Sequence, residues 1–195
     1  MLLKIMQLYL PEFVKKKKLV ELFRLTAGAF QSELPELKGL SFPEILARYA
    51  LFTREQAEIY WRNGCHLEEI QGWLYYNACI LGRSLRKSLR ITTWEEAVTA
   101  LAFIYRLIGI DFQCDRQGEV TIRQCFFSNY YSSEICQLIS SLDEGLAAGL
   151  SDGGRLSFYQ RITEGGDCCK GCFRGGLGNE KGNRGRQRCG RRCRC

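Results

Sequence analysis

The run EVTIRQCFFSNYYSSEICQLISSLDEGLAAGLSDGGRLSFYQRITEGGDCCKGCF, Glu119 to Phe173, holds two alternating segments on either side of one helical segment. In Glu119–Phe127, Val120, Ile122 and Gln124 point one way and Thr121, Arg123 and Cys125 the other, a period of two that reads as a strand. In Arg155–Thr163, Leu156, Phe158, Gln160 and Ile162 alternate with Ser157, Tyr159 and Arg161 in the same way. Between them, Ile135, Leu138, Ile139, Leu142, Leu146 and Leu150 recur at three- and four-residue steps, one face of a helix over Ser132–Leu150. Cysteines fall at three places: Cys125 at the end of the first strand, Cys136 in the first helical turn, and Cys168, Cys169 and Cys172 just after the second strand. A strand–helix–strand unit could gather these places at one end.

Upstream, Ile110–Cys114 reads as a strand and Asp115-Arg116-Gln117-Gly118 as a turn with glycine last, so Ile110–Phe127 makes a hairpin. Thr92 or Thr93 caps the helix before it, with Glu95 and Glu96 at its positive end, and Gly109 closes it. Cys65–Leu89 is another helical stretch. Before that, Ser41 with Glu44 forms a capping box and Pro43 suits the first turn of a helix through Phe52. Thr53 with Gln56 starts a further helix, which Asn63-Gly64 stops. The first helix spans Leu10–Phe30, with Phe13, Leu19, Leu22, Phe23, Leu25 and Phe30 as its apolar stripe. The lysine run Lys15–Lys18 reads as its solvated face.

These elements predict an α+β fold: a helical N-terminal part, 1–109, packed on a small sheet of at least three strands with one crossing helix, 110–173. Together they form a single domain, 1–173, followed by a disordered tail, 174–195. Hydrophobic residues make up 46% of the 195, ample for a core, and no apolar run approaches the ~20 residues of a membrane span. The opening MLLKIMQLYLPEF lacks a small-residue cleavage site and is not read as a signal peptide, which places the chain in the cytoplasm.

The net charge of +7 is owned by the tail, whose eight basic residues face one acid, Glu180. The remainder is neutral and carries no signal for nucleic acid or an acidic membrane. The tail, with Cys189, Cys193 and Cys195, holds almost no apolar residue; it could bind RNA, ligate a metal, or be under no selection.

Eleven cysteines without a secretory signal point to reduced thiols, and thus to metal or redox chemistry or to small buried hydrophobes; Cys65, Cys79 and Cys114 fit the last. His66, the one histidine, follows Cys65 and precedes Glu68 and Glu69; a surface or capping role suits it better than a metal or nucleophile–base site, because adjacent helical residues do not face each other.

The order strand–Cys, aromatic Tyr-Ser segment, helix with an early Cys, Gly-Leu, then strand–Gly–Cys–x–x–Phe resembles proteins grouped as L-2-amino-thiazoline-4-carboxylic acid hydrolase-like. More distantly it is similar to 4-vinyl reductase-type domains and to the C-terminal half of some iron–sulphur repressors. The likeness covers roughly residues 110–173. By position, Cys125, Cys136 and either Cys169 or Cys172 take the places of those groups' cysteines, and Gly165-Gly166 that of the turn glycine. The CCKGC cluster departs from the single cysteine of the pattern.

The resemblance implies hydrolysis of a cyclic C–N bond in a small molecule. Cys136 would then attack directly, or thiolates at Cys125, Cys136 and Cys169 or Cys172 would hold zinc, with Glu134 or Glu164 as base. The alternative is a sensor or carrier whose thiolates hold zinc, an iron–sulphur cluster or a small ligand, for which Cys169-x-x-Cys172 supplies half a site. The helix N-terminus is expected to lower the Cys136 pKa in either case. No Ser-His-Asp arrangement is visible. Small molecules are the expected partners, with nucleic acid only through the tail.

Overall fold

The computed structural model describes residues 11–63 and 67–177. The expectations for Cys65, His66, residues 1–10 and residues 178–195, including Cys189, Cys193 and Cys195, lie outside the described residues.

Among the described residues, five α-helices and four strands follow in the order α1 (Glu12–Ala29), α2 (Phe42–Asn63), α3 (Leu67–Leu89), α4 (Trp94–Leu107), β1 (Ile110–Cys114), β2 (Glu119–Cys125), α5 (Ser133–Ser151), β3 (Arg155–Gln160) and β4 (Cys169–Arg174). One-turn 3-10 helices, Phe126–Asn129 and Ile162–Glu164, lead out of β2 and β3. The class is α+β, as the periodicities require.

Local chemistry sets the boundaries. Thr93 Oγ1 accepts from the Glu96 amide at 3.2 Å, while Glu96 Oε2 accepts from the Thr92 and Thr93 amides, which closes a capping box on α4. Glu44 Oε2 accepts from the amide and hydroxyl of Ser41 at the start of α2, both at 2.6 Å. Ser132 caps α5, its hydroxyl accepting from the Ile135 amide. In the hairpin turn, Asp115 Oδ1 accepts from the amides of Gln117 and Glu119, and Gly118 takes φ +83°.

Several expectations are corrected. Thr53 does not begin a helix: its hydroxyl is buried and donates back to the Tyr49 carbonyl at 2.8 Å, so α2 runs unbroken through it. Phe13 is 73% exposed and does not belong to the buried stripe of α1. The cysteines do follow the Arg155–Gln160 strand, but Cys169–Arg174 is itself a further strand, β4. Beyond β4, the Leu177 amide donates to the Ser151 carbonyl at 2.7 Å.

The sheet is antiparallel throughout, in the order β1-β2-β4-β3. β4 therefore inserts between β2 and β3, the two strands whose alternation was legible. Ile110, Phe112, Val120, Ile122, Leu156 and Phe173 turn one face to the helices. Tyr105 of α4 packs edge-on against Phe112, and Trp94 packs against Phe173. The outer face is polar, with Arg123 donating to Gln113 and Arg174 paired to Glu119. One apolar core joins Phe23, Ile45, Leu74, Leu101, Leu150 and Phe173, so helices and sheet share it. Among the described residues no helix is long and apolar enough to cross a membrane.

α5 lies against α3 with backbones in direct contact. A Cβ on Gly145 would overlap the Tyr75 carbonyl, and one on Gly149 the Cys79 carbonyl. This close approach fixes where the polar side chains of α5 stand.

Candidate functional site

A cavity of about 220 Å³ opens between α1, α3, α4, α5 and the end of β2. Its wall is almost wholly apolar, from residues such as Leu19, Leu81, Leu85, Ile104, Ile108 and Ile139. The polar residues that line it are few: Cys125, Cys136, Ser140, Asp143, Tyr49, Tyr105 and Tyr131, with Lys15 and Lys18 of α1.

Each is placed by an identifiable element. Cys136, Ile139, Ser140, Asp143 and Leu146 follow the helical period, so one face of α5 supplies them all. Cys125 arrives through an irregularity. Phe112 pairs with Ile122, but Ile110 pairs with Cys125, so Arg123 and Gln124 together oppose Asp111. This bulge reverses the alternation and turns Cys125 to the core side, opposite Ile110. The expectation that Gln124 shares a face with Val120 and Ile122 is therefore corrected: Gln124 is exposed.

The register also separates the cysteines of β4. Cys169 pairs with Ile122 and lies on the core side, whereas Cys172 pairs with Glu119 and Ser157 on the outer side. Cys172 Sγ is 3.7 Å from Glu119 Oε1, and it is not among the free thiols. Of the sequence-derived thiols, Cys125 and Cys136 both line the cavity, while Cys169 lies on the core side of β4 and is not part of its wall. Cys172 does not line it either.

The electrostatics run against the expected thiolate. Burial pushes the Cys125 thiol up to about 12, opposed by the amides of Phe127 and Ser128. Burial also raises the Cys136 pKa, more than the Thr163 hydroxyl and the Arg161 guanidinium lower it. Cys169 is raised for the same reason, although the Ile162 amide donates to its sulphur at 3.5 Å. The predicted lowering of Cys136 is therefore corrected: desolvation outweighs the helix terminus. At pH 8, iodoacetamide is expected to alkylate Cys125 of the folded chain at least about 100-fold more slowly than in 8 M urea, followed by peptide mapping. Labelling of Cys125 or Cys136 at the unfolded-chain rate would contradict the assignment.

Neither carboxylate proposed as a base lines the cavity. Glu134 is exposed, its pKa lowered by its own backbone amide and the hydroxyls of Ser132 and Ser133. Glu164 is exposed and pairs with Arg161 at 3.4 Å. The acid inside the cavity is Asp143, which the sequence reading passed over. Its pKa rises to about 6, chiefly through burial, with the Tyr105 hydrogen bond acting against the rise. Tyr105 donates to Asp143 Oδ1 at 2.6 Å, and its own pKa is driven far up by burial. Two further hydroxyl pairs tie lining tyrosines to buried threonines, Thr26 with Tyr49 at 3.0 Å and Thr53 with Tyr131 at 2.5 Å.

Among the described residues, no group of three or more His, Cys, Asp or Glu side chains is disposed to hold a metal ion. No family model, curated protein or solved structure matches this chain, so the reading of the site rests on its own geometry.

Proposed function

We propose that this chain binds a small, mostly apolar molecule in the cavity between α1, α3, α4 and α5. The observation that carries the reading is the composition of the wall: apolar side chains nearly throughout, with a few polar residues among them, Asp143 and Tyr105 hydrogen-bonded to each other. A wall of this kind holds water poorly, and filling it gains hydrophobic and dispersion energy. An engineered cavity of about 150 Å³ takes benzene. By that ratio, 220 Å³ suits a ligand of about nine non-hydrogen atoms. In this reading the thiols of Cys125 and Cys136 are soft, neutral wall groups, and Asp143 with Tyr105 is the polar end.

The test is calorimetric titration of the purified chain with eight- and nine-carbon amphiphiles, beside the variant Cys125→Phe, whose ring enters the cavity from β2. The wild type is expected to bind at micromolar to millimolar affinity, and the variant at least about 10-fold more weakly while keeping its fold by circular dichroism. Equal binding by both proteins would move the ligand off this cavity and overturn the proposal.

A further inference from the structure

We infer that the ligand carries a basic nitrogen, a primary or secondary amine on an apolar body, whose N–H donates to the free oxygen of Asp143. The inference rests on the binding reading above and assigns the chemistry of the ligand's polar end. Asp143 is enclosed by protein, yet it keeps accessible surface because it faces the cavity. An ionised carboxylate only accepts hydrogen bonds and offers about four lone-pair sites. The Tyr105 hydroxyl fills one, at Oδ1, and among the described residues no second donor reaches the group. Lys15 and Lys18 of α1 also line the cavity, but neither ammonium is hydrogen-bonded to Asp143, and Lys18 is paired to Glu21 at 2.7 Å. Arg161 acts on Asp143 through space, but its guanidinium is turned to Glu164 and Phe158.

A negative charge with open acceptor sites thus faces an otherwise apolar space. An alkane or ether filling the cavity would desolvate the carboxylate and return no hydrogen bond. A carboxylate ligand would add repulsion. An ammonium group supplies both the opposite charge and the missing donors, and charge-assisted hydrogen bonds of this kind are about twice as strong as neutral ones. The site selects by what it leaves unpaired as much as by what it attracts.

The experiment is a matched titration of the full chain at pH 7.5 with octylamine, 1-octanol, heptyl methyl ether and octanoate, with Asp143→Asn beside the wild type. Octylamine is expected to bind at least about 10-fold more tightly than the ether and octanoate more weakly than either, a difference of about 1.4 kcal/mol or more. In Asp143→Asn the octylamine advantage should fall below about 3-fold, while ether binding is retained. Octylamine no tighter than octanol or ether in the wild type, or an amine preference that survives Asp143→Asn, would overturn the assignment and leave the apolar-cavity reading standing. If none of the compounds binds, the binding reading fails with it.

Discussion

Gly145→Val is expected to abolish cooperative folding, or to cost more than about 4 kcal/mol, in the range where a domain of ordinary stability unfolds. The first atom of any side chain at this position meets the backbone of Tyr75, and backbone cannot rotate away as a side chain can. Gly149 stands one helical turn on and faces Cys79, Gly82 and Arg83 in the same manner. Separating α3 from α5 to admit a valine would also lift α5, and with it Cys136 and Asp143, away from the cavity. The internal control is Gly72→Ala on the same α3, where an added Cβ meets nothing within 4 Å. That substitution should stabilise the chain by roughly 0.5–1 kcal/mol, through helix propensity alone. Urea denaturation followed by circular dichroism reads both. A Gly145→Val protein with a transition near that of the wild type would show that the two helices do not pack as described.

The second large effect has the opposite sign. Asp143→Asn is expected to stabilise the chain above pH 6 while removing the selectivity of the site. The Asp143 pKa stands at about 6 in the folded chain, against an ordinary value of 3.8. Between these values the folded state binds more protons than the unfolded one, so stability falls as pH rises from about 4 to 6, and the cost persists above. The gap corresponds to about 3 kcal/mol at most. Asparagine keeps an acceptor for the Tyr105 hydroxyl and carries no charge. We therefore expect a gain of about 2 kcal/mol at pH 8 and only about 0.5 kcal/mol at pH 4, where the folded group is protonated and the unfolded one is roughly half ionised. Gain of stability with loss of selectivity is the mark of a group retained for binding. Equal effects of the substitution at both pH values would mean that Asp143 is ionised in the folded chain without cost.

Much of the architecture was legible because it is local. The capping box of Glu44, the Asp115–Gly118 turn and the period-two runs of β1 and β2 each depend on residues within a few positions of one another. β4 was missed because its cysteines and glycines were read for thiol chemistry, although Cys169, Gly171 and Phe173 alternate with Lys170, Cys172 and Arg174. The bulge that turns Cys125 inward is a property of pairing with β1, not of the β2 sequence, so simple alternation placed that side chain on the wrong face. The choice between Cys169 and Cys172 likewise needed the register with Ile122 and Glu119.

Asp143 had a local signal that was not used. It stands one turn beyond Ile139 on the ridge Ile135–Ile139–Asp143–Ala147, so an acid occupies a core-facing position of an apolar helix. Glu134, chosen instead for its place at the helix start, is where acids belong for ordinary reasons of capping. The rise in thiol pKa was not legible at all, since it depends on how deeply α1, α4 and α5 together enclose the sulphurs.

The most direct test of the central claim is a crystal structure of the chain with octylamine. The alkyl chain is expected between α1, α3 and α4, and the nitrogen about 2.7–2.9 Å from Asp143 Oδ2, beside Tyr105. A cavity closed by the surrounding side chains, with the amine found only on the outer surface, would contradict it.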